Sequence, residues 1–475
     1  MSDDNHFPPQ TKFILGNEAC ERFSYYGMRS ILAVYITAPL VLAAGVSGSF
    51  PGLGMSADAA TITIHAFIFA CYATGVLGGW IADRLWGRFK TILWISLLYC
   101  LGHGVLALSD LSASTSYKIA CLYVGLTFIA LGSGGIKPCV SAFMGDQFNA
   151  GQSRLLEKAY SAFYWCINLG SFLSMLLIPW VRTQYGYGWA FGIPGIFMAL
   201  ATLVFWFGRH RYVHAPLATG PGFWQITFFA FRSSGLRSLD TFWNAARGRF
   251  GENKVEEVIA TLRAVRLFVL IPPFWALYDQ NTSTWVLQGK RMTPLDLGFV
   301  TFDAEQMQAA NPALIMVLVP LLTLVFYPLI GKLATPLRRM TLGMVLAALS
   351  FVVVGWLQQR IEGGETLSLA WQLAPYVVLT AGEVLVSVTG LELSYTQAPK
   401  SMKSTVGSFW LLTVAAGQLI VMGVTHLGSE AGREDTAVTS GRFFLYAGLL
   451  AVTAVVFAVV AQFHQNAVRD KGQAV

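Results

Sequence analysis

The stretch "FWQITFFAFRSSGLRSLDTFWNAARGRF", Phe223 to Phe250, decides how this chain is built. It lies inside a longer segment, Gly208 to Leu262, rich in Arg, Gly, Ser and aromatic residues, which divides a very apolar sequence near its middle. If its apolar patches cross a membrane, an extra helix pair separates the two halves. If they lie flat, the halves are two bundles joined by a linker. A patch such as "FWQITFFAF" falls well short of the roughly 20 residues a helix needs to cross about 30 Å of hydrocarbon, and basic residues follow it. That pattern predicts helices lying along the inner membrane surface, in contact with lipid.

Outward from this segment the composition is that of an integral membrane protein. The 475 residues are 55% hydrophobic and only 12% charged, with mean hydropathy +0.56, whereas soluble domains are about 25% charged. Apolar windows predict spans near 14–42, 60–82, 91–109, 118–143, 157–180, 187–208, 264–286, 311–332, 339–358, 370–397, 404–425 and 442–464. The expected fold is an all-α polytopic membrane protein of twelve helices in two six-helix bundles, with no additional pair between them. Its units are residues 1–208, the interfacial linker 209–262, and residues 263–475. The opening "MSDDNHFPPQTK" is polar and acidic, so the first span reads as a retained helix and not as a signal peptide.

Charge placement orients the chain. With both termini in the cytoplasm, inside segments carry 20 Lys and Arg against 7 in outside loops, as the positive-inside rule requires. The net charge of +7 therefore reads as topology, and no nucleic-acid partner is needed to explain it. Cys20, Cys71, Cys100, Cys121, Cys139 and Cys166 all fall in predicted spans without C-x-x-C pairing. They read as small buried residues, and neither a disulfide, a metal nor a cofactor is expected. Nor does any nucleophile with a neighbouring base point to an enzyme.

Six spans, an inside linker and six more spans form the pattern of major facilitator transporters, whose substrate site lies between the halves near the bilayer midplane. "GGWIADRLWGRFK", Gly78 to Lys90, resembles the loop motif after the second helix in that superfamily. Its small residues permit close packing, Asp83 can face a helix N-terminus, and Arg84, Arg88 and Lys90 anchor the inner leaflet.

Ionised side chains at the bilayer centre cost about 2.5–3.5 kcal/mol each on insertion scales, so they require pairing or a wet cavity. In "GNEACERFSYYG" (Gly16 to Gly27) and the residues after it, Glu18, Arg22, Tyr25 and Arg29 share one helical stripe, with Glu21 and Tyr26 at its margins. The stripe is either the wall of a wet cavity or a structural ion-pair ladder. His65, Lys137, Asp279 and Glu392 add ionisable groups in other spans of both halves. Glu18 or Glu21 is available to Lys137, and Asp279 to Arg29 across the halves. Walls of opposite charge suit a substrate bearing both an amine and a carboxylate.

"EACERFSYYG" resembles the ExxERFxYYG motif of the proton-dependent oligopeptide transporter family, and "GGIKPCVSAFMGDQF", "FYWCINLGS" and "LELSYTQAPKSMKS" are similar to its other signatures, in order, over residues 12 to about 425. The resemblance implies a proton-coupled symporter that imports di- and tripeptides by alternating access as a monomer. It implies that Arg22 and Lys137 meet the peptide carboxylate, and that Glu392, Asn168 and Asn311 meet its amine. Tyr25, Tyr26, Tyr72, Tyr164, Trp275 and Trp410 would line side-chain pockets. Glu18, Glu21 and Asp279 would carry protons, with Arg29 closing on Asp279. His65 is either part of that proton handling or a neutral histidine hydrogen-bonded between helices.

The sequence departs from the family in three places. The linker lacks the additional helix pair of many bacterial members. Only "LQQRIEGGETLS" stands where animal members carry a large extracellular domain, and Thr323 replaces the acid that pairs with the position of Arg263. Short loops point to a bacterial inner membrane. The same fold moving nitrate, another organic anion or a drug is the first alternative, and a peptide sensor that does not translocate is the second. Glu383 reads as a packing or gating contact, His103 as an interface histidine, and Pro138, Pro320 and Pro399 as helix bends.

Overall fold

The computed structural model describes residues 6–40, 50–217, 219–234, 242–298, 300–331, 335–397, 402–430 and 436–472. Pro399 and the basic residues Arg237, Lys332, Lys400 and Arg433 lie outside these ranges. Nearly all the rest is helix. The first half comprises α1 (Thr11–Thr37), α2 (Ala57–Ile81), α3 (Arg88–Ala107), α4 (Thr115–Gly145) and α5 (Ser153–Phe207). The linker forms α6 (Phe223–Ser234), α7 (Asn244–Phe250) and α8 (Glu252–Val265). In the second half follow α9 (Pro272–Tyr278), α10 (Thr284–Gly289), α11 (Ala310–Leu321), α12 (Tyr327–Ile330), α13 (Pro336–Glu362), α14 (Leu373–Glu383), α15 (Thr389–Gln397), α16 (Lys403–Glu430) and α17 (Ser440–Gly472). A two-stranded antiparallel hairpin, Leu295–Asp296 with Thr301–Phe302, pairs Leu295 with Phe302 and Asp296 with Thr301.

Among the described residues nine helices are long and apolar enough to cross a membrane, or ten if the bent pair Glu252–Leu270 and Pro272–Gly289 is one span. The spans anticipated at 157–180 and 187–208 are two helices within Ser153–Phe207 that meet at a kink at Gly186, where φ is 84°; this left-handed value is one that only glycine adopts freely. One expected boundary shifts. The boundary expected at residue 262 falls inside α8, which leads straight into the bent span. α1, 27 residues long, is interrupted by Glu18, Glu21, Arg22 and Arg29, which is why apolarity alone does not single it out.

Without a hydrophobic drive between helices in lipid, close approach through small residues supplies the packing. A Cβ on Gly78 of α2 would stand 2.4 Å from the Gly135 Cα of α4, and one on Gly170 of α5 2.6 Å from the Ala19 carbonyl oxygen of α1. In the second half a Cβ on Gly343 of α13 would lie 2.6 Å from the Gly382 oxygen of α14. Leu77, Trp94, Leu173, Trp189, Leu324 and Leu445 are exposed around the perimeter, a lipid-facing belt that a soluble protein would not tolerate.

The linker's first two helices are short. α6 has 12 residues and α7 has 7, and at 1.5 Å per residue neither reaches beyond about 18 Å. Phe223, Ile226, Ala230, Ala246, Val255 and Val258 bury one another in a small separate core that also takes in Met402, with Phe409 of α16 packed against it. Arg84, after α2, donates to the Gly220 carbonyl at 2.6 Å, so the linker touches both halves on its own side of the bilayer. The opposite side is called the far side below. Arg263 is exposed on α8 and Thr323 is exposed beyond α11.

Candidate functional site

α1 brings its charged stripe to the seam between the halves. Arg22 Nε lies 2.6 Å from Glu18 Oε1 and 3.1 Å from Glu21 Oε2, and all three side chains are largely buried. Among the described residues Glu21 accepts no hydrogen bond with either oxygen, and its ion-pair partner is Arg22. Two turns further along, Arg29 Nη2 lies 2.6 Å from Asp279 Oδ1 and donates to Thr282 Oγ1 at 2.9 Å. This ion pair joins α1 to the turn after α9, across the halves, as the charge pattern anticipated.

From Asp279 a chain of polar groups returns to the first half. Gln418 of α16 donates to Asp279 Oδ2 at 2.7 Å. The same amide's oxygen meets His65 Nδ1 at 2.6 Å, and His65 Nε2 meets Ser283 Oγ at 2.9 Å. Because Gln418 offers an oxygen to Nδ1, the imidazole carries its proton there when neutral, and Nε2 accepts from Ser283. His65 is therefore hydrogen-bonded between helices, linked to Asp279 through Gln418. Gln418, Ser283 and Thr282 were not singled out in the sequence. Gln418 had a signal, as a lone amide in the apolar run "AAGQLIVM".

Lys137 departs from expectation. No acid lies within ion-pair distance of it among the described residues; its ammonium instead sits 4.0 Å from the ring centroid of Tyr25 and 4.5 Å from that of Tyr72. Arg22 takes both α1 acids, and two aromatic faces hold the lysine instead. Tyr26, Tyr72 and Trp275 line a narrow cavity with Arg29, Asp279 and Asn311. Its volume of about 30 Å³ is far below the roughly 300–1,000 Å³ of small-molecule sites, so the walls must part before a peptide-sized solute enters. Tyr25, 1% exposed, backs Tyr26 edge-on at 5.2 Å. Trp410 packs edge-on to Trp275 at 6.1 Å, over Gly390.

Tyr164 and Asn168 border a separate cleft of about 40 Å³ between α5 and α11. The Asn168 amide donates back to the Tyr164 carbonyl at 2.9 Å, and Tyr164 also interacts with Glu383 and Tyr26.

Glu392 is corrected. It is exposed and lies 3.4 Å from Arg339 Nη2, near the start of α13. The acid beside Asn311 is Glu383, whose Oε2 accepts from Asn311 Nδ2 at 2.7 Å. Asn311 also donates to Thr380 and accepts from the Tyr278 hydroxyl at 3.2 Å. Among the described residues no cation lies within 4.0 Å of Glu383. The sequence reading made it a packing or gating contact; in the structure it is the carboxylate hydrogen-bonded to Asn311. His103 is corrected as well. It is fully buried and hydrogen-bonded to Ser24 of α1 at 2.8 Å, beside Gly102, where α3 and α4 pack too closely to admit a side chain.

Two helical halves meeting at a constricted centre lined by compensated charges define a transporter of the major facilitator type. Comparison with known proteins narrows this. The POT family profile, PTR2, matches residues 89–438, and the chain belongs to that family. It is 28% identical to solute carrier family 15 member 1 of Oryctolagus cuniculus, over 96% of this chain and 93% of the relative. The crystal structure of the POT family transporter PepTSo superposes with TM-score 0.84 at 38% identity, covering 97% of this chain and 99% of that one. An auto-inhibited POT family peptide transporter superposes with TM-score 0.80, also at 38% identity, over 96% and 97% of the two chains.

Proposed function

We propose that the chain is a proton-coupled symporter importing di- and tripeptides by alternating access. It would cross a bacterial inner membrane twelve times, with both termini and the linker in the cytoplasm, and act as a monomer with protons as its only coupling species. The observation that carries this reading is a pair of ionisable groups without ion-pair partners facing the same seam. Lys137 stands on the first half against two tyrosine rings, with no carboxylate within ion-pair distance among the described residues, and Glu383 stands on the second beside neutral donors. A zwitterion of peptide length brings a carboxylate to the first and an amine to the second, and so draws the halves together. Arg22 assists at the carboxylate end. Asn311 holds Glu383 in place, and the aromatic walls of Tyr26, Tyr72, Trp275 and Trp410 receive side chains of varied shape.

Protons act on the other charges. The Arg29–Asp279 pair joins the halves and holds the far side shut. A proton arriving on Asp279 removes one partner of a buried pair, a change worth about 3–5 kcal/mol when made by mutation. Shifting a two-state equilibrium from 1:99 to 99:1 takes about 5.5 kcal/mol, so one proton supplies much of the required bias. The hydrogen bonds linking Asp279, Gln418, His65 and Ser283 give that proton defined neighbours. Acid on the far side therefore favours far-side opening, and neutral pH on the linker side restores the pair. Glu21, paired with Arg22, is the second site where a proton changes the balance. The membrane potential adds about 2.3 kcal/mol per charge at 100 mV.

The test is uptake of labelled dialanine into proteoliposomes, driven by an inside-negative potential with and without an inward proton gradient, in the parent and in Glu21→Gln. The reading predicts gradient-dependent accumulation that the variant loses while it retains counterflow. Binding without accumulation would replace it with the sensor reading.

A further inference from the structure

We propose that Asp58 is a positioning residue that holds the far side closed through a clasp separate from the solute and proton sites, and so sets the balance between the two access states. The proposal rests on the alternating-access reading. Asp58 lies in the first turn of α2 and is 5% exposed. Its partners all belong to the other half. Oδ1 accepts the Ala437 backbone N–H at 2.5 Å, and Oδ2 accepts from Ser429 Oγ at 2.9 Å and Thr436 Oγ1 at 3.1 Å.

The donor direction of the Thr436 bond is fixed by its surroundings. Arg442 donates to Thr436 Oγ1 at 2.9 Å, so the threonine's single proton is free to point at Asp58. Ser429 also lies 3.0 Å from the Thr425 carbonyl and divides its proton between two acceptors. No cation lies within 4.0 Å of Asp58 among the described residues, so hydrogen bonds from the opposite half compensate a nearly buried carboxylate. When the halves part on the far side, water must replace every one of them.

The position of the clasp separates it from the chemistry. Asp58 does not line the narrow cavity of Tyr26, Arg29 and Asp279. At another point of the far-side seam Arg182 of α5 lies 2.6 Å from Glu305, just before α11, and borders a cavity of about 600 Å³ that Asp58 does not touch either. The Arg29–Asp279 pair is the deeper contact of the same seam. Of these contacts, Asp58 makes the one that releases neither a coupling acid nor a wall of the large cavity, and changing it alters access alone.

A cysteine at position 175, where Met175 lines the narrow cavity, reports far-side access in a background with the six native cysteines replaced. A membrane-impermeant maleimide is applied from the far side. Asp58→Ala is expected to raise the labelling rate on the order of tenfold, the ratio one hydrogen bond to a charged group supports. The carboxylate also favours the α2 N-terminus, so Asp58→Ala alone can act through helix stability. The double variant Ser429→Ala, Thr436→Ala leaves α2 untouched and is expected to raise labelling in the same direction, by several-fold. If the double variant labels at the parent rate, the clasp does not govern access and Asp58 serves α2 alone, which overturns the proposal. Dialanine uptake by the parent is measured in parallel. Faster labelling in a parent that moves no dialanine would sink the peptide reading and leave the clasp standing.

Discussion

Lys137 shows at the scale of one residue how a membrane protein keeps a cation available. Its ammonium faces two tyrosine rings, and a desolvated cation–π contact is worth about 2 kcal/mol, enough to offset part of the burial without neutralising the charge. A carboxylate neighbour would have consumed it. Lys137→Gln should raise the KM for dialanine uptake at least ~10-fold, or ~1.4 kcal/mol, while leaving the folded protein monodisperse. Glu383 carries the matching expectation. Glu383→Gln should weaken uptake of a free peptide by a similar factor and N-acetylated peptide much less, since the latter brings no amine. Glu392→Gln should stay within about twofold, in line with surface ion pairs. The α1 charges were legible in the sequence because each is out of place in an apolar run. The choice between Glu383 and Glu392 was not. The two are nine positions apart on what reads as one helix, half a turn out of phase at regular spacing, and a π turn at Val384–Val388 shifts the phase again. His65→Gln tests the remaining residue: it retains hydrogen-bonding capacity and removes titration. An unchanged pH profile of uptake would make His65 a spacer between Gln418 and Ser283.

At the scale of elements, packing is decided by where glycines fall. Gly78 and Gly79 are neighbours on α2, yet a Cβ on the first would stand 2.4 Å from Gly135 Cα and on the second 3.9 Å from Pro138 Cγ. Gly78→Ala should therefore cost ~1–3 kcal/mol, as overpacking does, and lower the melting temperature in detergent. Gly79→Ala should leave the melting temperature unchanged, and equal effects would remove the packing argument. Hydropathy located most spans within a few residues, because lipid rewards long apolar runs directly. It could not reveal that the break between the fifth and sixth is a single kink at Gly186, since a glycine between two apolar windows reads equally well as a loop. It also hid how the linker's last helix continues into the bent span, because the charged face of α8 resembles an ordinary surface helix.

Over the whole molecule, contacts between the halves at the far side and midplane hold one access state. Asp279→Asn keeps the shape of the side chain and removes its charge, so the pair with Arg29 should loosen. Far-side labelling at position 175 should rise, and proton-driven accumulation should fall to the level that counterflow sustains. Accumulation that persisted at the parent level would take the coupling away from this acid. The two-half architecture was readable from the linker and the basic loops, because topology follows from charge and length. The access state was not, since it depends on side-chain pairings between residues hundreds of positions apart.

The small core of the linker has a consequence for how the chain is made. Phe223, Ile226 and Ala230 are closed off in part by Met402 and Phe409, which leave the ribosome long after them. At about 5–20 residues per second, the linker waits on the order of 10–30 s with its aromatic face uncovered. A chain cut short before α16 would keep that face exposed indefinitely, so the linker marks for the cell whether the second half has arrived.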